Sequence, residues 1–138
     1  MYKIKRAEKL AEKIFLMDVE APRVAKHCHP GQFIIAKIDE CGERIPLTIC
    51  DYDREKGIIT IVFQIVGAST QKMSEMKAGE AFSDFVGPLG CASEFVSEDL
   101  DTLKGKKILF VAGGVGTAPV YPQVKWLHEH GIEADVIV

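Results

Sequence analysis

The most restrictive stretch of this sequence begins at Lys107. Ile108-Leu109-Phe110-Val111-Ala112 is a continuous apolar run, the pattern of a parallel strand covered on both faces. Gly113-Gly114-Val115-Gly116 follows at once. Val120, Val124 and Leu127 then recur on one helical face, which predicts a helix over 117–130 with Gly131 as its C-cap. Ala134–Val138 reads as a second strand of the buried type. Together these make one βαβ unit.

A glycine turn between strand and helix can hold a phosphate. Glycine lets backbone amides approach the anion, and the helix start adds partial positive charge. The strict G-x-G-x-x-G spacing of a dinucleotide turn is not met, because Pro119 stands where the third glycine belongs. Proline fits there sterically, since an early helical position has no use for its missing N–H. A tight turn without a ligand is the plainer alternative.

The residues before Lys104 follow another period. Lys3–Lys9, Lys13–Glu20, Gln32–Ile38, Arg44–Cys50, Ile58–Val66 and Glu80–Val86 read as short strands. Ala21-Pro22-Arg23, Pro30-Gly31, the polar stretch 39–43, the charged loop 51–57 and Gly87-Pro88-Leu89-Gly90 separate them. Ser69 or Thr70 can cap a short helix reaching about Met76. Several short strands at this spacing predict a small antiparallel Greek-key β-barrel. The expected division is therefore 1–103 for the barrel and 104–138 for the start of a parallel α/β nucleotide-binding domain. Ile61, Phe63, Ile65, Met73, Met76 and Trp126 read as packing residues.

Charge and cysteines exclude several functions. A net charge of -3 leaves no basic footprint for nucleic acid. No apolar run is long enough to span a bilayer, and the N-terminus lacks a secretory h-region, so a cytoplasmic protein is expected. Cys28, Cys41, Cys50 and Cys91 form no C-x-x-C pair and read as scattered reduced thiols. His27-Cys28-His29 invites a metal, but neighbours on extended chain point to opposite faces. No metal site is expected.

Five segments, taken together, resemble one family. Gly114-Val115-Gly116-Thr117-Ala118-Pro119 is similar to the pyridine-nucleotide turn of the ferredoxin-NADP reductase superfamily. Arg44-Ile45-Pro46-Leu47-Thr48-Ile49 resembles its flavin strand, and Pro30-Gly31-Gln32-Phe33 the strand entry before it. Val66-Gly67-Ala68-Ser69-Thr70 resembles the segment closing over the flavin pyrophosphate, and Gly87-Pro88-Leu89-Gly90 the turn before the interdomain link. They occur in the family's order. The nearest likeness is to the small subunit of NADH-dependent ferredoxin:NADP oxidoreductases, with the electron-transfer subunit of dihydroorotate dehydrogenase as a relative.

The resemblance implies FAD on the barrel and NAD(P)H as substrate at the glycine turn. It implies that Thr48 meets the flavin where hydride arrives. Arg44, Pro46, Leu47, Val66, Gly67, Ser69 and Thr70 would hold the flavin, and Gly113, Gly114, Gly116 and Thr117 the nucleotide. One departure stands out: the family's common arginine lies three residues before the Ser/Thr, where this chain has Ile45, and Arg44 lies four before. Leu47 replaces the common aromatic. Electrons would leave toward a ferredoxin-type acceptor or a partner redox subunit carrying flavin or iron–sulfur centres. No iron–sulfur cluster is expected in this chain, whose cysteines lack the short ligand spacings. With one βαβ unit the chain reads as the front part of a longer oxidoreductase, and its FAD binding is expected to be weak. Two other readings stay open: a flavin-less assembly module, and a barrel whose glycine turn takes some other phosphate.

Overall fold

The structure, a computed structural model, describes residues 2–138. Strands β1 (Tyr2–Ala11) and β2 (Ile14–Glu20) form a hairpin. Its tight turn holds Lys13 at φ 61°, in the left-handed region. Helix α1 (Pro22–His27) leads to β3 (Phe33–Lys37), β4 (Arg44–Asp53) and β5 (Ile58–Gln64). Helix α2 (Ala68–Ser74) then leads to β6 (Ala81–Phe82) and β7 (Asp84–Leu89). The seven strands run antiparallel to their neighbours in the order β6-β1-β2-β5-β4-β3-β7.

That order almost closes on itself. β6 pairs with β1, while β7 pairs with β3. Only Ser83 separates the two short strands, and its N–H and hydroxyl both donate to the Lys37 carbonyl, at 2.9 and 3.1 Å. One kinked path therefore joins both ends of the sheet and leaves little free edge. The β2–β3 and β5–β6 connections cross over, which gives the Greek-key order foreseen from the strand spacing.

Alternation fills the interior. Met17 and Val19, Ile34 and Ala36, and Ile59, Ile61 and Phe63 all face the core. Phe82 and Phe85 pack beside them, with ring centroids 5.9 Å apart. Met73 is fully buried and Met76 packs against the same cluster. Each large apolar side chain buried here stabilises the fold by about 1.5–3 kcal/mol.

Local boundaries differ from the sequence expectation in three places. Ala21-Pro22-Arg23 does end β2, but a helix starts there: Pro22 stands in its first turn, and Val24 and Ala25 are buried against the barrel. Six residues are too few to show helical periodicity. Strand β4 runs on through Asp51-Tyr52-Asp53, read above as loop, because β5 pairs with it that far. Gly87-Pro88-Leu89, read as a turn, lies in β7, where β3 continues the ladder to Leu89.

After Leu89 the chain leaves the barrel. Helix α3 (Leu100–Lys104) is capped by Asp99, whose carboxylate accepts from the Thr102 N–H at 3.0 Å. Strand β8 (Leu109–Val111), the glycine turn, helix α4 (Thr117–Glu129) and strand β9 (Asp135–Ile137) complete a βαβ unit with a parallel pair. A second, small cluster of Leu103, Leu127 and Ile132 forms here, flanked by Phe95, Ile108 and Trp126. The strands expected to be buried are not: Val111 is 71% exposed and Ile137 56%. Among the described residues no further strand pairs with this two-stranded sheet, and Phe110 packs toward the small cluster. Among the described residues, no helix is long and apolar enough to cross a membrane.

Candidate functional site

Strand β4 sets the first wall of the site. Its regular pairing with β3, from Arg44 opposite Lys37 to Thr48 opposite Phe33, has no slip. Alternation therefore puts Arg44, Pro46 and Thr48 on the outer face. Ile45 and Leu47 pack against the core instead. Arg44 thus shares a face with Thr48 although the spacing departs by one from the family pattern. The guanidinium is turned to Asp84 on β7, with Nη1 2.9 Å from Oδ2. This hydrogen bond holds the Asp84 carboxyl below its ordinary range.

The second wall is the turn between β5 and α2. Thr70 is buried, and its hydroxyl oxygen accepts from the N–H groups of Val66 and Gly67 at 2.8 and 3.1 Å. Thr70 is therefore a capping residue that shapes the turn. Ser69 donates its hydroxyl to the Glu43 carboxylate, from the polar connection between β3 and β4. Val66 stands 80% exposed beside them.

The third wall is the glycine turn. Gly114 has φ 56°, a conformation that favours glycine. Gly113 and Gly116 have ordinary negative φ, and Gly67 is simply extended. A Cβ added at any of these four positions would meet nothing within 4 Å. At Gly67, Gly113 and Gly116, then, neither backbone nor packing within the chain asks for glycine. Close approach of a ligand to bare backbone would ask for it. Pro119 lies in the first turn of α4, as expected.

A cleft of about 500 Å³ joins two of these walls. Gly114, Thr117 and Tyr121 line one side, and Cys50 and Asp51 of β4 with Thr60 and Val62 of β5 line the other. Cys50 is a buried thiol that burial pushes up to about 11. A second cleft, about 660 Å³, lies on the other side of α4, between its C-terminal half and the β4–β5 hairpin. Asp51 lines both. Lys125 of α4 donates to Asp51 Oδ1 at 2.8 Å, and this bond raises the lysine above its usual value.

The structure thus brings Gly114 and Thr117 of the turn against the Cys50–Asp51 end of β4 and against β5, in a cleft that Arg44, Pro46, Thr48 and the 66–70 turn do not line. It places Leu47 inward, Thr70 in a cap and Arg44 against Asp84. Asp51, Lys125 and Tyr121 were not singled out from the sequence. Asp51 was hidden in an apparent charged loop, and no spacing rule links it to Lys125, 74 residues on.

A nearly closed Greek-key barrel, followed by a strand, a glycine turn and a helix that packs back on it, defines a reductase-type flavin barrel. Known proteins agree. An uncharacterised protein of Clostridium beijerinckii, from the adh 3' region, is 63% identical over all of this chain and 47% of its own length. A homologue of the electron transfer subunit of dihydroorotate dehydrogenase B (NAD(+)) from Thermotoga maritima is 41% identical over 89% of this chain and 41% of its own. The solved NADH-dependent reduced ferredoxin-NADP oxidoreductase contains a chain that superposes with a TM-score of 0.88 at 37% identity. That match covers 99% of this chain and 47% of the other. No protein-family profile matches. The chain belongs to the ferredoxin-NADP-reductase-like family of FAD-binding barrels. It spans about half the length of the curated relatives it matches.

Proposed function

We propose that this chain is the flavin-binding front part of an electron-transfer oxidoreductase, with FAD on the outer face of the barrel and NAD(P)H met by the glycine turn. FAD, when bound, takes up hydride and gives out single electrons. The chain's own residues bind and orient. Thr48 offers a hydroxyl on the exposed side of β4. Arg44 supplies positive charge on the same face, partly compensated by Asp84. Ser69 offers a backbone amide at the start of α2 beside the bare backbone of Gly67, and Thr70 keeps that turn in shape. Gly113, Gly114, Gly116 and Thr117 present the turn backbone. Leu47 supports the strand from inside, and Pro46 and Val66 give apolar contact. Electrons pass on to a partner redox subunit with flavin or iron–sulfur centres, or to a ferredoxin-type acceptor. The division of labour follows the two clusters, with the segment from Phe95 onward packing with the nucleotide-binding part.

The observation that carries this reading is the bare glycine backbone at Gly67, Gly113 and Gly116, which nothing in the chain requires. Titration of the purified chain with FAD tests it. Binding that Gly67→Val removes, with the barrel still folded by circular dichroism, is the expected result.

One observation favours a second reading, a barrel kept for assembly without flavin. The Arg44 guanidinium and the Ser69 hydroxyl are both already engaged by carboxylates of the same chain. No visible flavin band after incubation with excess FAD would select this reading.

A further inference from the structure

The junction between barrel and helix α4 is held by few polar contacts, and one of them starts at a strand irregularity. The β4–β5 register slips between Ile49 and Asp51, so one extra residue sits on β4 there. Such a bulge re-aims the side chain that follows it. Here Asp51 meets Lys125 of α4, and both side chains are about two-thirds covered, at 30% and 38% exposure. Asp51 Oδ1 also accepts from the Tyr52 N–H at 2.9 Å, which fixes the carboxylate. A parallel tether runs from the barrel exit. The Ser93 N–H donates to the Pro30 carbonyl at 2.8 Å, and the Ser93 hydroxyl donates to Gln123 Oε1 at 3.1 Å. The Gln123 amide then donates to the Pro119 carbonyl at 3.1 Å, at the end of the glycine turn.

We infer that Asp51 and Lys125, seconded by Ser93 and Gln123, are positioning residues that hold the glycine turn at a fixed place over β4 and β5. The inference rests on the proposed role of the glycine turn in presenting NAD(P)H to a flavin on the barrel. Its physical basis is the poverty of the alternative. Away from this face, Leu127 of α4 packs with buried Leu103 and Ile132 and with partly buried Phe95, Ile108, Phe110 and Ala134, a small cluster that anchors the helix weakly. A charge pair partly withdrawn from water is worth more than an exposed one, and its loss from a weak interface shows as local motion. Positioning errors of about 1 Å are costly for hydride transfer. The bulge at Cys50 is thus assigned a purpose: it aims a carboxylate at the neighbouring unit.

Lys125→Met and Asp51→Asn test this in the full 138-residue chain. Asparagine keeps the acceptor for the Tyr52 N–H and removes only the charge. Amide exchange across 113–129 is expected to rise at least about fivefold in each variant while β1–β5 stay protected. The double variant should add nothing further, and the exchanged pair Asp51→Lys with Lys125→Asp should recover most of the protection. Energy transfer from Trp126, the single tryptophan, to added FAD should change in each variant while FAD affinity stays within about twofold. Where NADH reduces the bound flavin, the rate at saturating NADH should fall with little change in the NADH concentration for half-maximal rate. Exchange that stays at the wild-type level in both variants overturns the inference. So does a uniform rise across the barrel, which would mark a general loss of stability. A chain that takes up no FAD defeats the proposed function, whereas the exchange measurement still judges the latch.

Discussion

The barrel and the strand–turn–helix end of this chain are written in similarly apolar residues, yet they reach different states. In the barrel, β6 and β7 return to β1 and β3, and every core strand finds a neighbour on both sides. At the other end, among the described residues, β8 and β9 pair only with each other, and Val111 and Ile137 stay exposed. The contrast teaches that burial belongs to the neighbours of a strand rather than to its composition. It also separates two kinds of site wall: one fixed by a closed core, the other held by a helix on a small cluster and a few polar bonds.

The largest effect expected from this contrast is on stability. Phe63→Ala empties the centre of the barrel and should cost about 3–5 kcal/mol, read by urea unfolding. Leu127→Ala in the second cluster should leave that barrel transition almost in place and instead raise amide exchange in α4. Equal shifts of the main transition would show that the two regions unfold as one unit and would break the comparison.

Next comes the ligand. Gly67→Ala should weaken FAD about tenfold, or about 1.4 kcal/mol, without moving the melting temperature, because its Cβ enters open space in the free chain. A lower melting temperature with unchanged FAD affinity would make Gly67 structural.

Thiol chemistry gives a third contrast. Cys41 and Cys91 are exposed, while Cys28 and Cys50 are buried and pushed up to about 11. Two thiols should react with a disulfide reagent at neutral pH, and four after unfolding. The folded chain holds the buried protons more tightly than the unfolded chain. This contribution is therefore complete below pH 9 and fades as the pH rises toward 11. Rapid labelling of Cys28 in the native protein would show that the barrel opens locally.

The smallest effect belongs to the junction. The Asp51 hydrogen bond raises Lys125, which is also faced by Tyr121 and Glu129. Its stabilising contribution is complete below the ordinary lysine value of 10.5 and is lost as pH rises through the raised one. Subtracting the Lys125→Met profile from that of wild type isolates this loss from the thiol effect. No difference between the two profiles would place the pair among surface ion pairs of negligible worth.

Much of the architecture was legible because period and turn chemistry act locally. Alternation marked Ile61 and Phe63 as core, whereas Ile65, past the end of β5, is only half-buried, and Gly131 marked the end of α4. Helix α1 escaped notice because six residues carry no period. Asp51-Tyr52-Asp53 looked like loop because charge outweighed pattern, and only the partner strand β5 makes them strand. In the site, the position of Thr48 followed from its strand. The fate of Arg44 did not, since Asp84 lies forty residues away in sequence.

The sequence by itself determined the run of barrel strands, the single βαβ unit and the glycine turn with Pro119 at its helix start. Those depend on residues a few positions apart, where backbone geometry decides. Only the tertiary structure decided that the barrel closes at Ser83, that Arg44 turns to Asp84, and that Asp51 reaches Lys125. Each of these joins segments distant in the chain, so it depends on strand register and on a bulge, which no local pattern encodes.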